Sequence, residues 1–427
     1  MRVDLTEDMA VAVLLLKMYR TGVYIDPVQL SDLKTVVGGR LAKYEEMWRD
    51  ITKPYGEYAI GSPQQCTALF YGKKLWPERA GGLKAPVTDT GNFSAGKEGV
   101  RWALTHCGEG SDGHTAAQIR QVWSRHNKLL TAYIVAIEHQ CAEHADGRLR
   151  CTISQSGTVS GRFSCQNPNL QSVPRDSSDI PNIRECFMAT PGYKVICGDF
   201  SQFEIAIMAH MSGDVELTAL VQSGKSMHDL TAERTGVPRA VAKVRNLAMN
   251  YGAGPKRIAV ASNIPLVRRV IRGKEVFTAP DEIIEWCRKY KELFVGMEEY
   301  KQSVSAFGRK HGYVETLFGQ RRYIPDLTSD DKYKRFRAER IAGNLPIQGT
   351  AADIGKKGMI ALDKLWRSRG SGARLLLQVH DEYLAEAPEN EAERCRDEMK
   401  RVMESVVTLS VPIRAEVGIG SSWSEAK

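Results

Sequence analysis

Residues 194–213 read KVICGDFSQFEIAIMAHMSG, and the fold turns on how this stretch is parsed. Val195, Ile196 and Cys197 form a short apolar run behind a Pro191-Gly192 turn signal, the pattern of a buried strand. Asp199 stands where that strand is expected to end. Ser201, with Glu204 three residues on and apolar residues beyond, has the form of a capping box, which predicts a helix starting at Ser201. Asp199 is thereby expected at the mouth of a strand-to-helix turn, beside the positive end of a helix. A carboxylate there could hold a metal ion at the floor of a cleft. An ordinary loop aspartate leaves the same local signature.

A second stretch bears on that choice. Residues 374–386 read RLLLQVHDEYLAE, two apolar runs flanking His380, Asp381 and Glu382. The pattern predicts a hairpin with Asp381 and Glu382 at its tip. Acidic residues at a hairpin tip are usually only solvated. Two apolar strands that each deliver an aspartate, however, are what a two-metal phosphoryl-transfer site requires. Two divalent ions roughly 3.5–4 Å apart need carboxylates from separate rigid elements.

The 427 residues suggest two to four subdomains, and 42% hydrophobic with 26% charged residues is ordinary for a soluble globular chain. A net charge of +8 permits nucleic-acid binding without requiring it. Nine cysteines, an odd number with no C-x-x-C pair, argue against a disulfide framework and a structural zinc site. They suit a reducing, cytoplasmic setting. The apolar run 10–16 is too short to span a bilayer and is followed by Lys17 and Arg20, so no membrane partner is expected.

Helical periodicity covers 9–24, 29–55, 116–144, 281–307 and 389–407, and Ser62 is placed to cap a short helix over 63–71. A basic helix is expected over 332–344, ending before Pro346, with a second opening at Gln348 and running to Trp366. Residues 313–325 read as a hairpin and 412–419 as a closing strand. The Gly- and Thr-rich stretch 81–99, with Lys84 and Lys97, reads as a mobile surface loop able to follow a phosphate backbone. Residues 148–174 read as a polar, extended surface poor in core residues, suited to groove edges and phosphates. Arg239, Lys243, Leu247 and Tyr251 recur every four residues and form one stripe on a helix begun by Pro238. Two cations followed by an apolar residue and an aromatic would meet a triphosphate and then a base, with His228 adding a phosphate contact. A partly buried face with snorkelling cations would look the same. Residues 267–274 are strongly basic, with Arg268, Arg269, Arg272 and Lys274.

Taken in order, these pieces resemble the polymerase portion of an A-family DNA polymerase, the family of bacterial DNA polymerase I and several phage replicative enzymes. The similarity runs from about Met9 to Lys427. It is carried by Asp199-Phe200-Ser201-Gln202-Phe203-Glu204, by Arg239, Lys243 and Tyr251-Gly252, and by Gln378-Val379-His380-Asp381-Glu382. Gly161-Arg162-Phe163-Ser164, Pro168-Asn169-Leu170-Gln171, Glu315-Thr316-Leu317-Phe318-Gly319 and the run from Asn344 to Asp353 support it.

The resemblance implies an α+β right hand with an antiparallel-sheet palm, helical fingers and a helical thumb. In this chain that division would make 1–27 a palm-associated segment, 28–145 the thumb, 146–213 the palm with the first aspartate, 214–345 the fingers and 346–427 the palm with the second. It implies that Asp199, Asp381 and the Phe200 carbonyl bind two Mg2+ ions, for which Mn2+ substitutes, with Glu382 as an accessory acid. Ser201, Gln202, Glu204, His228, Arg239, Lys243, Leu247 and Tyr251 then form the nucleotide site. Within it Lys243 is catalytic, Glu204 crowds a ribose 2′-hydroxyl and Tyr251 stacks near the template base. Arg162, Asn169, Gln171, Arg340, Asn344, Gln348 and His380 match positions that contact primer–template DNA.

The sequence departs from the family pattern at Phe203, Ala206, Arg245 and Leu247; the last stands where an aromatic influences dideoxynucleotide discrimination. Few residues precede the matching region, so a monomer that extends a primer without proofreading is expected, with accessory proteins or a separate exonuclease as partners. The rival readings are a related RNA-synthesising fold, a nuclease built on the two aspartates, and an idle primer–template-binding protein. Glu204 favours deoxynucleotides, the 239–251 stripe would have no role in a nuclease, and binding alone needs no metal carboxylates.

Overall fold

The computed structural model describes residues 5–80, 83–88, 90–174, 179–250, 252–271 and 274–427. Its centre is a four-stranded antiparallel sheet in the order Arg374–Val379, Glu382–Pro388, Tyr193–Ser201, Arg414–Gly420. Both faces are covered, which is why its strands read as continuous apolar runs. Ile196, Phe200, Tyr383, Ala385 and Ala415 face one core, shared with Ile347, Ile354, Met399 and Met403. Val195, Cys197, Leu377, Val379 and Leu384 face a second, with Val23, Ile25, Phe187 and Trp423. A register shift between Leu375 and Leu377 puts Leu376 and Leu377 in the same core, where regular alternation would send them to opposite faces.

The second face is tied to a small sheet of Arg148–Leu149, Val23–Ile25 and Phe187–Met188 by a buried charge cluster. Glu386 accepts from Arg148 at 3.0 Å, from Arg374 at 2.8 Å and from the Thr190 backbone N–H at 3.0 Å. Burial pushes its carboxyl up, but the Thr190 bonds and the two arginines outweigh that and hold it below the usual range.

Two helical bodies flank the sheet. In the N-terminal one, Pro27–Thr52, capped by Asp26, packs against a continuous helix that runs from Asp112 through a π turn at Leu129–Ile134 to Glu143. Trp48, Phe70 and Trp76 fill its core, the last two stacked at 3.5 Å. Arg120 is buried there, donating to the Ala95 and Ile60 carbonyls. The second body holds Val215–Ser223, Met227–Thr235, Arg239–Asn250, Asp281–Leu293 and Val295–His311. Among the described residues no helix is long and apolar enough to cross a membrane.

Several expectations are corrected. The 332–344 and 348–366 helices are one, Lys332–Ser368, with Pro346 inside. Ala342, Leu345, Pro346 and Ile347 are all buried, so packing on both sides of the proline holds the helix through the lost hydrogen bond. The 281–307 helix is two, broken at Phe294, where Asp214 accepts from the backbone N–H groups of Leu217 and Met297. Residues 148–174 contribute to the core after all, for Leu149, Cys151, Phe163, Cys165, Leu170 and Val173 are buried. The 81–99 stretch is not all loop: a helix starts at Lys97, and Phe93 stacks on Tyr71 at 4.5 Å. Gly81, Gly82 and Asp89 lie outside the described residues. The basic 267–274 stretch belongs to a hairpin of Val267–Ile271 and Lys274–Thr278, where Arg269 pairs with Asp281 at 2.6 Å. Arg272 lies outside the described residues.

The segment after the last strand folds back on it so closely that a Cβ on Gly418 would sit 2.3 Å from the Ala426 carbonyl oxygen, a backbone atom that cannot swing aside. Gly418→Ala is expected to cost about 1–3 kcal/mol, as overpacking of a tight core does. Denaturant unfolding measures it, and a change within experimental error would show that the segment is not held against the sheet.

Candidate active site

The strand carrying Asp199 runs two residues further than its apolar pattern indicates, to Ser201. No capping box forms. Gln202 takes a left-handed conformation, φ 49°, with no side-chain cap bond, and the helix is Phe203–Ser212. The two residues of the expected box are engaged elsewhere. The Ser201 hydroxyl reaches Glu416 at 3.5 Å, and Glu204 pairs with Arg162. Gln202 bonds the Lys225 carbonyl at 3.0 Å and accepts from the Met227 N–H at 3.0 Å. It thereby fixes the start of the helix that carries His228 to the end of the Asp199 strand.

The hairpin tip is also one residue shorter than expected. His380, at φ 57°, and Asp381 make the turn, and Glu382 is already in the second strand and buried. The Phe200 backbone N–H donates to the Asp381 carbonyl at 3.1 Å, which locks the two aspartate-bearing elements together. The register then sets Glu382, Asp199 and Glu416 directly opposite one another on three adjacent strands. Like charges opposed across strands repel, so the row needs cations. Glu382 accepts from Trp423 Nε1 at 2.5 Å and from Arg184 at 3.4 Å, and Arg184 lies 3.9 Å over the Trp423 ring. The Lys427 ammonium lies between Glu382 and Asp199, 3.2 Å from the latter. Lysine at that point shows that this pair draws positive charge, and Asp381 on the adjoining turn adds the further carboxylate oxygen donors that a divalent ion takes. Among the described residues no group of three or more His, Cys, Asp or Glu side chains converges as a ready-made metal cage. Such an ion would take its remaining ligands from a carbonyl, water and substrate.

On the Arg239–Asn250 helix, Arg239, Lys243 and Leu247 are all exposed on one stripe, as their spacing implies. Tyr251 lies outside the described residues. Arg239 is paired with Asp229 at 2.6 Å. His228 bonds Asn246 at 3.1 Å, and burial, then Lys243 and Arg239, push its pKa below the ordinary histidine value. His228 therefore sits in the field of Lys243 and Arg239. Arg245 belongs to the opposite, buried face, 5.5 Å from the Trp286 ring.

Three cavities gather the remaining residues. One is lined by Glu204, Leu247, Asn344 and Gln348. Another brings Arg162, Gln378 and Lys356 to His380 and Asp381. A third joins Arg340 to Asn344 and Gln348. Gln171 donates to the Gln378 carbonyl at 3.2 Å, while Asn169 is used locally, accepting from the Gln171 N–H. Arg184, Trp423, Lys427, Glu416 and Asp229 escaped sequence reasoning. Only Glu416 had a usable signal, a carboxylate alternating with Arg414 on the closing strand.

The model of DNA polymerase family A matches residues 28–425. The DNA polymerase I of Deinococcus radiodurans is 34% identical over 416 residues, 95% of this chain and 40% of the relative. The thermostable DNA polymerase I of Thermus thermophilus is 39% identical over 290 residues, 66% of this chain and 33% of the relative. The chain thus spans well under half the length of these curated relatives. Among solved structures, the POL domain of Pol1 from M. smegmatis, in complex with DNA primer-template and dNTP, superposes with a TM-score of 0.87 at 28% identity. That match covers 98% of this chain and 70% of the other.

Removing one partner from a buried ion pair strands the other charge, at a cost of about 3–5 kcal/mol. Arg184→Met is expected to destabilise the fold by that amount, read by chemical denaturation. A cost below about 1 kcal/mol would mean that Trp423 and Lys427 alone satisfy Glu382.

Proposed function

The chain belongs to DNA polymerase family A, and on that premise we propose that it is a template-directed DNA polymerase. It would add deoxynucleotides to a primer 3′-hydroxyl and release pyrophosphate, in replication or repair. The observation that carries the reading is the register that sets Asp199 beside the Asp381 turn and opposite Glu382, with a lysine ammonium drawn in between. In this reading the four-stranded sheet and its helices are the palm, 28–145 the thumb and 214–345 the fingers.

Asp199 and Asp381, with the Phe200 carbonyl, would hold two Mg2+ ions, or Mn2+ in their place. Bound there, the metal supplies activation of the primer hydroxyl and neutralisation of triphosphate charge. The rest falls to side chains of this chain. Arg239 and Lys243 present positive charge to the triphosphate from one face of the fingers, with His228 beside them as a further contact, and Arg239 must exchange Asp229 for phosphate to do so. Lys243 has no carboxylate partner among the described residues, which leaves its ammonium available to the leaving group. Arg162 holds Glu204 by an ion pair at the nucleotide end of the cavity it shares with Leu247. A carboxylate fixed in that way crowds a 2′-hydroxyl better than a mobile one. Gln171 is steadied against the hairpin strand and Asn344 and Gln348 project from the long helix, positions suited to primer–template contact. We read the chain as a synthesising unit that does not itself shorten primers, since every motif behind the resemblance belongs to synthesis.

Primer extension on a DNA template with Mg2+ tests the reading. Deoxynucleotides should be incorporated and ribonucleotides refused, and Asp381→Asn should lower the rate by on the order of 10²–10³-fold or more, the scale for losing a preorganised charge-stabilising group. If the wild type binds primer–template normally yet adds nothing, the chain is a binding protein instead.

His228 gives a pH test with a defined sign. Its pKa in the free protein is depressed, so it is neutral near pH 7. A bound triphosphate offsets Lys243 and Arg239 and raises that pKa, so nucleotide binding should take up protons and tighten as pH falls through the ordinary histidine range. Titration calorimetry in buffers of different ionisation enthalpy should detect the uptake in the wild type and not in His228→Gln. Equal uptake in both would place the proton elsewhere.

A further inference from the structure

The helix Arg239–Asn250 shows its nucleotide stripe on one face and buries a cation on the other. Arg245 stands two residues after Lys243 and two before Leu247. At about 100° per helical residue it points nearly opposite to both. Its surroundings serve it poorly. Its one carboxylate partner among the described residues, Glu282, lies 3.7 Å away, too far for a hydrogen bond, and that side chain is 65% exposed. The Arg245 Nε has no hydrogen-bond partner among the described residues, and the guanidinium lies 5.5 Å from the Trp286 ring. An apolar side chain of similar length would fill the place without an unmet donor, so stability does not account for the arginine.

Position accounts for it. Asp281 and Glu282 open the helix Asp281–Leu293, where negative charge meets the positive end of the helix dipole. Each carboxylate takes an arginine from a different element. Asp281 holds Arg269 of the 267–278 hairpin at 2.6 Å, and Glu282 faces Arg245 of the nucleotide helix. Phe277 packs that hairpin against the main core. Trp286, one turn further on, donates to Thr235 at 3.0 Å, on the helix that carries His228. The start of Asp281–Leu293 is thus a fixed post.

The nucleotide helix has two uncharged ties of its own. Asn246 donates to the Thr231 hydroxyl at 3.1 Å, and Asn250 accepts from the Tyr290 hydroxyl at 3.1 Å. Four residues apart, they lie nearly on one line of the helix and leave it free to turn about that line. Arg245, about 100° round from Asn246, is the third point that stops the turn. A helix with its side chains is about 10–12 Å across, so a rotation of about 10° carries a side-chain tip through about 1 Å. A misplacement of that size can cost about 10²-fold in rate.

We propose that Arg245 is a positioning residue for the nucleotide: drawn toward Glu282 over Trp286, it sets the rotation at which Arg239 and Lys243 meet the triphosphate. The proposal rests on the polymerase reading above.

Steady-state incorporation of a single deoxynucleotide by the full chain, run beside thermal unfolding, tests it. Arg245→Met should unfold at the wild-type temperature or above, yet raise the nucleotide KM about fivefold or more, within the range of coupling between linked sites. Glu282→Gln changes an exposed side chain and should raise KM to a similar extent. The double variant should go no further, since the two residues act as one pair. Arg245→Lys keeps the charge and should recover most of the wild-type KM. An arginine with only a structural role would make KM follow stability across the series. That outcome, an unchanged KM in Arg245→Met, or additive rises in the double variant would overturn the proposal. Should Arg245→Met fail to fold, Glu282→Gln decides alone, and an unchanged KM there overturns it. A wild type that incorporates nothing refutes the polymerase reading itself; one that incorporates normally but whose KM ignores these changes refutes only the role of Arg245.

Discussion

Three carboxylates lined up across neighbouring strands are a problem that the rest of this fold answers. Antiparallel pairing fixes Glu382, Asp199 and Glu416 side by side, and a sheet covered on both faces gives the innermost of them little water. The answer is a layer of positive charge on the second face. Arg184 lies flat on Trp423, and the segment after the last strand folds back to bring Lys427 in. Further along the same strands Glu386 is treated the same way by Arg148 and Arg374. Asp199 is thus held on strands whose buried carboxylates, Glu382 and Glu386, are each met by cations.

How much of this could be read from the sequence depended on whether the deciding interaction was local. The apolar runs of the Asp199 strand and the Asp381 hairpin are local, and both elements form there, with only their ends differing by one or two residues. The Ser62 cap follows from neighbouring residues in the same way. The start of the 203–212 helix was misread because Ser201 and Glu204 look like a capping box, yet their partners, Glu416 and Arg162, are distant in the chain. Pro346 was misread because a proline's local penalty is visible and the packing that overrides it is not. The site residues with a carboxylate or cation in a family motif could be named from sequence. Those that only make such residues tolerable, such as Arg184 and Trp423, have no spacing to betray them.

The long helix joins the two halves of the site. Its C-terminal half packs under the sheet through Ile354, Met359 and Leu362, and its N-terminal half lines a cavity with Val295–His311 and the loop after Asn250. Asn344 and Gln348 sit where those halves meet. Tyr383 of the hairpin donates its hydroxyl to the Gly355 carbonyl at 2.6 Å, so the helix and the Asp381 hairpin are registered by a buried bond as well as by apolar contact. Asn344 and Gln348 on the helix and Asp381 on the hairpin therefore belong to elements with a fixed mutual position.

Gly198, the residue before Asp199, has the sulfurs of Met399 and Met403 pressed against it, each 2.8 Å from where a Cβ would stand. Both methionines are fully buried. A sulfoxide oxygen has no room there, so oxidising either thioether must lift the 392–405 helix or shift the strand that bears Asp199. An oxidant can reach them only when that helix opens away from the sheet. The rate at which peroxide oxidises these two methionines is then a clock for a local opening beneath the Asp199 strand, one that a measurement of global stability would not register.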